Sequence, residues 1–330
     1  MILQLKKSTP EETINRLKKD HFARIVTKQD HIQAVTTKST ECVPEYVATY
    51  LIKSWHFNTD IQLASKSFEE KRVTSIGTVE IGNPKTMNFI AGPCSVESEE
   101  QIFTVAHSLA ELGIRSLRAG CYKPRTSPYS FMGMGKDGLK LLDQVRKETN
   151  LNIITEVRDA THVDDVLDVA DVVQIGAKSM YDHGILNACG ATDKTVLIKR
   201  GFGTTLKEFV QAAEFVLSAG NSNVILCERG IRTFETETRF TLDLCGVAFL
   251  KENCNLPIVV DPSHALGFRY GISDLSKAAT AMGVDGLLIE AHPEPDKALS
   301  DSAQQIDLQQ LSKLHSEINQ LGLAVNLKLI

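Results

Sequence analysis

The feature that most constrains the fold of this chain is a repeated order of segments that begins near residue 88. Short β-rich runs recur, and each is followed by a polar or glycine-containing loop and then by a helical stretch. The predicted strands are Asn88–Ala91, Ser116–Arg118, Ile153–Val157, Val172–Ile175, Val196–Lys199, Val224–Cys227, Ile258–Asp261 and Gly286–Glu290. The predicted helices are Glu99–Leu112, Gly138–Glu148, Val163–Ala170, Gly184–Cys189, Leu206–Ser218, Arg239–Lys251, Ser273–Met282 and Leu308–Gln320.

This order predicts an α/β protein of the (β/α)8 TIM barrel class. Such a barrel typically needs about 250 residues, and the repeated segments fill most of the chain from residue 88 onward. A doubly wound open sheet is the competing architecture. No GxGxxG sequence follows a predicted strand to support it.

Residues 1–70 have a different order and predict a small α+β domain. Thr9-Pro10-Glu11-Glu12 has the spacing of a helix N-terminus, with proline at the first helical position. The predicted elements are strand Met1–Leu5, a helix to Lys19, strands Phe22–Thr27 and His31–Thr37, helix Val43–Lys53 and strand Asp60–Ala64. This βαββαβ order is ferredoxin-like and typical of ligand-sensing domains, and a domain used only for packing or oligomerisation is the alternative.

The segment 73–81 alternates apolar and polar residues around Gly77 and predicts a β-hairpin. We therefore expect two domains. A ferredoxin-like regulatory domain is expected at residues 1–70, and a catalytic barrel with an N-terminal hairpin is expected at 71–330.

Charge and cysteine content exclude several classes of protein. The net charge of −5 and the pI near 6.0 argue against a nucleic-acid binder, because affinity for a phosphate backbone needs a basic face. No run of about 18 apolar residues is present, which argues against a membrane span. The seven cysteines form no CxxC pair and fit a reducing compartment, so we expect a cytoplasmic protein with free thiols.

Several cations follow the predicted barrel strands, at the end where barrel enzymes carry their active sites. They are Arg118, Lys123, Arg125, Lys178, Lys199 and Arg229. Each alone would be interpreted as a solvated surface charge. Together in an acidic chain they predict a site for anions, because guanidinium and ammonium groups bind phosphate and carboxylate.

A second group of side chains predicts a metal site. Cys94, His264, Glu290 and Asp301 follow the first, seventh and eighth predicted strands. Since the first and last strands of a closed barrel are neighbours, these loops meet in space. A mixed set of sulfur, nitrogen and oxygen donors favours one divalent transition metal, such as Mn, Fe, Co or Zn. The alternatives are a thiol nucleophile paired with His264, or buried residues with only structural roles.

At these residues the sequence resembles the short 3-deoxy-D-arabino-heptulosonate 7-phosphate (DAHP) synthases, type I-beta, in which a ferredoxin-like domain precedes the barrel. The motifs that carry the resemblance are AGPCSVE, KPRTSPYSF, QIGA, IKRG, ILCERGIRTFE, VDPSHA and EAHPEPDKALSD. The resemblance implies a metal-dependent transferase that condenses phosphoenolpyruvate with erythrose 4-phosphate. The products are DAHP and phosphate, in the first step of the shikimate pathway of aromatic amino acid biosynthesis.

The resemblance also implies roles for individual residues. It implies metal ligation by Cys94, His264, Glu290 and Asp301. The implied contacts to phosphoenolpyruvate are Arg118, Lys123, Ala177, Lys178, Lys199 and Arg229. Arg125 and Thr126 are implied to bind the phosphate of erythrose 4-phosphate.

Catalytic roles are predicted for His264 as a ligand and for Lys123 as the donor of a proton to the developing alkoxide. Neighbouring cations are expected to lower the pKa of Lys123. Lys178, Phe240 and Phe268 depart from the usual arginine, asparagine and arginine of the family, and these departures bear on substrate affinity.

Two other functions stay open at this point. A 3-deoxy-octulosonate 8-phosphate synthase would use arabinose 5-phosphate instead, and a non-catalytic regulatory homologue would retain the fold without turnover. The resemblance further implies an aromatic amino acid as effector of the N-terminal domain, and a homotetramer.

Overall fold

A four-stranded antiparallel sheet forms the N-terminal part of this computed structural model, which describes residues 1–123, 127 and 129–330. Its elements are β1 (Ile2–Lys6), α1 (Glu11–His21), β2 (Arg24–Thr27), β3 (His31–Val35), a 3-10 turn (Glu45–Tyr50) and β4 (Leu51–Trp55). The strands lie in the order β2-β3-β1-β4. The small, separate α+β sheet predicted from the sequence is therefore confirmed.

Two elements predicted in this region are wrong. The segment predicted as helix Val43–Lys53 forms the 3-10 turn and then β4, and the predicted strand Asp60–Ala64 is not a strand. The physical reason is pairing with β1, which aligns Ile2 with Trp55 and Leu3 with Ser54. This long-range pairing outweighs the weak local preference for helix.

A hairpin and a closed parallel barrel follow. The hairpin strands are β5 (Thr74–Ile76) and β6 (Val79–Ile81), as predicted. The barrel strands are β7 (Thr86–Gly92), β8 (Ser116–Arg118), β9 (Asn152–Val157), β10 (Val172–Ile175), β11 (Thr195–Lys199), β12 (Val224–Glu228), β13 (Ile258–Val260) and β14 (Gly286–Glu290). Each strand pairs with the next, and β14 pairs with β7 from Gly286–Asn88 to Glu290–Gly92, which closes the predicted (β/α)8 barrel.

Helices cover the outside of the barrel. They are α2 (Glu99–Glu111), α3 (Lys136–Thr149), α4 (Val163–Val169), α5 (His183–Gly190), α6 (Leu206–Ser218), α7 (Leu244–Asn253), α8 (Pro262–Leu266), α9 (Ile272–Ala281) and α10 (Leu308–Ala324). The short helix α8 and the C-terminal strand β15 (Lys328–Leu329), which pairs with β7, were not predicted. Nowhere in the described parts of the chain is a helix both long enough and apolar enough to cross a bilayer.

The helix predicted at Arg239–Lys251 begins five residues later, as α7. Asp243 caps it, because its carboxylate accepts a hydrogen bond from the backbone N–H of Gly246 at 2.7 Å. The preceding residues are held elsewhere: the backbone N–H of Phe240 donates to the carbonyl of Ala265 at 2.9 Å. Residues 239–242 therefore belong to a loop at the C-terminal end of the barrel.

The interior of the barrel is an apolar column, and the hairpin closes one end of it. Its buried members are Ile76, Ile81, Ile90, Ile154, Val172, Leu197, Ile225, Cys227, Val259 and Leu288. Ile76 and Ile81 come from the hairpin and complete the floor at the N-terminal end of the barrel. The chemistry is consequently confined to the opposite end, where the loops after the strands meet.

Partly buried polar groups join the N-terminal part of the chain to the barrel. Glu214, on α6, accepts hydrogen bonds from the backbone N–H groups of Gln62 and Ala64 at 2.7 and 2.8 Å. The ammonium group of Lys28 donates to the carbonyl of Gly220 at 3.1 Å. These contacts fix residues 62–64 against the outer helices.

We predict that Ile81→Ala lowers the free energy of unfolding by about 2–5 kcal/mol, because it leaves a cavity in the barrel floor. Urea unfolding followed by circular dichroism measures the change. The control is Ile52→Ala on β4, where the side chain is 51% exposed and the expected change is within about 0.5 kcal/mol. Equal losses in both variants would contradict a sealing role for the hairpin.

Candidate active site

A cavity of about 250 Å³ lies at the C-terminal end of the barrel. The predicted substrate-binding residues that line it are Arg118, Lys123, Ala177, Lys178, Lys199 and Arg229. The structure thus brings these residues to one place. Arg125 and Thr126 lie outside the residues that the structure describes. Glu156 and Gln174, at the ends of β9 and β10, also line the cavity.

The four predicted metal ligands meet at one edge of this cavity. One donor atom from each of Cys94, Glu290 and Asp301 lies within 4.8 Å of the others, and the Cys94 Sγ to Asp301 Oδ2 distance is 3.2 Å. His264 Nε2 lies 3.5 Å from Glu290 Oε1 and 3.8 Å from Asp301 Oδ2. The pairing of β14 with β7 makes this possible, because it places the loops after both strands side by side.

Local backbone geometry positions two of these ligands. His264 lies in α8, which begins at Pro262 after the cap residue Asp261; the Asp261 carboxylate accepts the backbone N–H of His264 at 2.9 Å. Asp301 has a φ of 49°, a left-handed conformation that is sparsely populated for residues other than glycine. Such a conformation costs about 1 kcal/mol or more, and it typically persists where the surrounding structure determines it.

Contacts on both sides of Asp301 hold it in this conformation. The Ser300 and Ser95 hydroxyl oxygens lie 2.6 Å apart, and the backbone N–H of Leu299 donates to Glu97 Oε1 at 3.0 Å. The backbone N–H of Gln304 donates to the Asp301 carbonyl at 3.2 Å. The loop that carries Asp301 is thus tied to the loop that carries Cys94.

Burial shifts the protonation of the donor set. Burial, followed by the nearby Glu290 carboxylate, raises the pKa of the Cys94 thiol to about 12, so a cation that binds there displaces the thiol proton. Burial lowers the pKa of His264 despite the Asp261 carboxylate. Although burial opposes it, the His264 and Arg118 charges hold the pKa of Glu290 below its usual value. Sulfur, imidazole nitrogen and two carboxylates facing one another form a set that suits a transition metal.

Acidic and amide side chains behind the donors orient them, and the sequence analysis assigned no role to these residues. Asp261 Oδ2 lies 2.7 Å from His264 Nδ1 and 2.5 Å from Lys199 Nζ, so the other ring nitrogen of His264 faces Glu290 and Asp301. Gln304 Nε2 donates to Glu290 Oε2 at 2.5 Å, and the Gln305 side-chain oxygen accepts the backbone N–H of Cys94 at 3.0 Å.

The sequence held a signal for only some of these supporting residues. Asp261 lies in the VDPSHA motif, at the end of a predicted strand, and could have been assigned. Gln304 and Gln305 follow Asp301 in a polar segment without a recognisable pattern, and only the folded loop shows that both are buried.

Two of the predicted cations are already paired with acids inside the protein. Arg118 Nη1 lies 2.7 Å from Glu290 Oε1, and both side chains are buried. Lys199 pairs with Asp261 in the same way. These pairs compensate buried carboxylates, and their cations also line the cavity.

Lys123 is buried beside Cys94, and its ammonium group donates to the Cys94 carbonyl at 3.2 Å. The expectation that neighbouring cations lower its pKa is wrong. Burial and Arg118 act in that direction, but the Cys94, Glu156 and Glu290 side chains outweigh them and raise the pKa of Lys123 above its ordinary value. Lys123 is therefore an ammonium group at neutral pH.

Arg229 differs from the paired cations. It is buried at the end of β12, and its Nε and Nη1 atoms have no hydrogen-bond partner within the described ranges. Its guanidinium lies 4.4 Å over the ring of Phe240. A buried guanidinium with unpaired N–H groups in a cavity is suited to a phosphate or carboxylate.

Arg239 is a further cation at the cavity, and the sequence interpretation placed it in a helix. Its Nη1 donates to Gln304 Oε1 at 2.7 Å, and Gln304 in turn contacts Glu290. The error followed from the misplaced start of α7.

Comparison with known proteins identifies relatives of the whole chain. Residues 60–326 match the model of the DAHP synthetase I family. A phospho-2-dehydro-3-deoxyheptonate aldolase of Thermotoga maritima is 39% identical over 345 aligned positions, which cover 99% of both chains. The crystal structure of the enzyme of that name from Thermotoga maritima has a TM-score of 0.81 at 37% identity, covering 100% of this chain and 99% of that one.

A second kind of relative matches less of the chain. A 2-dehydro-3-deoxyphosphooctonate aldolase of Syntrophotalea carbinolica is 33% identical, and the match covers 74% of this chain and 93% of the relative.

We predict that Asp261→Asn raises the dissociation constant for Mn²⁺ or Zn²⁺ about 10- to 100-fold, because the acid that orients His264 loses its charge. Competition with a chromophoric chelator measures the constant. The matched control is Asp296→Asn, a side chain that is 89% exposed, with an affinity equal to that of the wild type. Unchanged affinity in Asp261→Asn would show that Asp261 does not support the ligand.

Proposed function

The chain belongs to the DAHP synthetase I family and condenses phosphoenolpyruvate with erythrose 4-phosphate to DAHP and phosphate; we propose that it does so with one divalent transition metal. This reaction is the first step of the shikimate pathway. The observation that carries the proposal is the convergence of Cys94, His264, Glu290 and Asp301 beside the cation-lined cavity. Two anionic substrates account for the concentration of positive charge there.

The proposed ligands of the metal are Cys94, His264, Glu290 and Asp301, and Mn, Fe, Co and Zn all suit this set. A divalent cation bound there supplies Lewis acidity toward a carbonyl oxygen. Asp261 holds Nδ1 of His264, and Gln304 and Arg118 hold the two oxygens of Glu290. These contacts hold the His264 and Glu290 side chains in place close to Cys94 and Asp301.

The proposed site for phosphoenolpyruvate is the cavity beside these donors. The contacts to its phosphate and carboxylate are assigned to Arg118, Lys123, Ala177, Lys178, Lys199 and Arg229. Burial of the arginines strengthens their attraction for an anion, because little water competes for it. Arg125 and Thr126 are assigned to the phosphate of erythrose 4-phosphate by the KPRTS motif alone.

Lys123 is the proposed acid of the condensation. When C3 of phosphoenolpyruvate attacks the aldehyde carbon, the aldehyde oxygen becomes an alkoxide that needs a proton. Water adds at C2, and the bond from C2 to the phosphate ester oxygen then breaks, so that phosphate leaves and the C2 carbonyl of DAHP forms. Against the effect of burial, the Cys94, Glu156 and Glu290 side chains raise the pKa of Lys123, so the group is protonated when the alkoxide forms. Its position at the Cys94 carbonyl places this proton next to the metal-binding edge.

Arabinose 5-phosphate is the acceptor in the competing reaction. The relatives named 2-dehydro-3-deoxyphosphooctonate aldolase match only part of the chain, whereas the Thermotoga relative matches nearly all of it. This difference favours erythrose 4-phosphate.

We also propose a regulatory role for residues 1–70, with an aromatic amino acid as effector, a barrel domain at 71–330, and a cytoplasmic homotetramer. The separate α+β sheet supports the division into domains. The contacts of Glu214 and Lys28 supply a path by which that sheet acts on the barrel helices.

The proposed function is tested by phosphate release from phosphoenolpyruvate in the presence of each aldose phosphate. We expect turnover with erythrose 4-phosphate and little with arabinose 5-phosphate. A strong chelator abolishes it, and added Mn²⁺ or Zn²⁺ restores it. Turnover that survives exhaustive chelation would contradict metal dependence, and no turnover with any metal would favour a non-catalytic homologue.

We predict that Lys123→Ala lowers kcat about 10²- to 10⁴-fold, because general acid catalysis is lost. Steady-state kinetics with saturating substrates measures the effect, and metal content is determined in parallel because Lys123 contacts the Cys94 carbonyl. Lys136→Ala is the control, since its side chain is 71% exposed on α3. Turnover near that of the wild type in Lys123→Ala would exclude the proposed role.

A further inference from the structure

Two phenylalanine rings in the wall of the cavity form a stacked pair beneath several arginines. Phe202 follows β11 and Phe240 lies in the loop before α7; their ring centroids are 5.4 Å apart and their planes differ by 25°. The guanidinium of Arg229 lies 4.4 Å over Phe240, and that of Arg232 lies 4.8 Å over Phe202. Arg239 lies at 5.6 Å from the Phe240 ring.

Arg229 packs against the ring of Phe240. Its Nε and Nη1 atoms are buried, and neither has a hydrogen-bond partner in the part of the chain that the structure describes. The guanidinium carbon lies 4.4 Å from the centroid of the Phe240 ring. A ring face attracts the cation without using its N–H groups, which stay available to an anion in the cavity.

Phe240 is itself held by the backbone. Its N–H donates to the carbonyl of Ala265 at 2.9 Å, one residue after His264. Thr241 and Ile231 exchange two backbone hydrogen bonds at 2.9 Å each, which closes the loop. Gly230, with a φ of 94°, permits this close approach, because a Cβ there would lie 2.8 Å from the Cβ of Phe240.

Phe202 is joined to the same unit. The backbone N–H of Arg232 donates to the carbonyl of Phe202 at 2.6 Å, so the loops after β11 and β12 are bound together behind the ring pair. The stacked rings of Phe202 and Phe240 therefore form one ring pair, carried by two loops that are hydrogen-bonded to each other.

We propose that Phe240, backed by Phe202, is a positioning residue that sets the plane of the Arg229 guanidinium for an anionic group of phosphoenolpyruvate. This inference rests on the proposed function, because it takes phosphoenolpyruvate as the anion in the cavity. Phe240 acts through Arg229, so its loss weakens binding of that substrate more than it slows turnover at saturation.

The test is Phe240→Leu, which keeps an apolar side chain and removes the ring. We expect KM for phosphoenolpyruvate to rise about tenfold, a typical size for a buried cation–π contact, with kcat within about twofold of the wild type. Calorimetric titration of phosphoenolpyruvate without the sugar phosphate should show the same rise in the dissociation constant. Phe240→Tyr keeps the ring and should bind within about twofold of the wild type.

Three further variants separate positioning from a general structural effect. Phe234→Leu makes the same change at a side chain that is 98% exposed in the same loop, and should match the wild type. In an Arg229→Ala background, Phe240→Leu should add nothing to KM, because the two residues act as one unit. Phe202→Leu should raise KM for phosphoenolpyruvate about threefold. This variant tests the role of the ring pair independently if Phe240→Leu does not fold.

Several outcomes would overturn the inference. They are an unchanged KM and dissociation constant in Phe240→Leu, equal losses in Phe240→Tyr and Phe240→Leu, or additive losses in the double variant. A wild-type protein that binds phosphoenolpyruvate but does not turn over with erythrose 4-phosphate would instead contradict the proposed function. The calorimetric comparison of Phe240→Leu with Phe240→Tyr would still decide the role of the ring in that case.

Discussion

The site depends on the compensation of buried charge between two layers of side chains at the C-terminal end of the barrel. Glu290 is fully buried, and it is tolerated there because Arg118 and Gln304 bind its two oxygens. Asp261 is equally buried and is matched by Lys199 and His264. A buried carboxylate without such partners would be protonated or would destabilise the fold. The same pairs that make these acids tolerable also fix the direction of each donor atom.

Closure of the barrel brings residues that are far apart in the sequence into one site. Cys94 and Asp301 are separated by 207 positions, yet the pairing of β14 with β7 brings Sγ and Oδ2 to 3.2 Å. The hairpin contributes at the opposite end, where Ile76 and Ile81 fill the barrel floor. One end is thus closed by apolar side chains and the other is polar, and this division follows from the hairpin at one end and the polar loops after the strands at the other.

The sequence predicted the barrel strands closely because most are short apolar runs bounded by a polar loop, as in Val172–Ile175. It failed where pairing across the fold decides the outcome, as for Leu51–Trp55, which is a strand only because β1 lies beside it. The donor residues could be predicted because they lie in motifs directly after strands. Gln304 could not, because its role arises from the folded loop around Asp301.

The pKa of Lys123 shows why charge at this site could not be inferred from the cations alone. Counting cations predicts repulsion and a lowered pKa, but the acids lie closer in space than in sequence. Cys94 follows β7 and Glu156 lies near the end of β9, and both side chains raise the pKa of Lys123 in the folded protein. The cations at this cavity therefore lie among carboxylates, and both kinds of group set the pKa of Lys123. Asp261 contacts both Lys199, which lines the substrate cavity, and His264, which faces the proposed metal site. Because one carboxylate supports both residues, a change in its charge affects substrate binding and metal binding together.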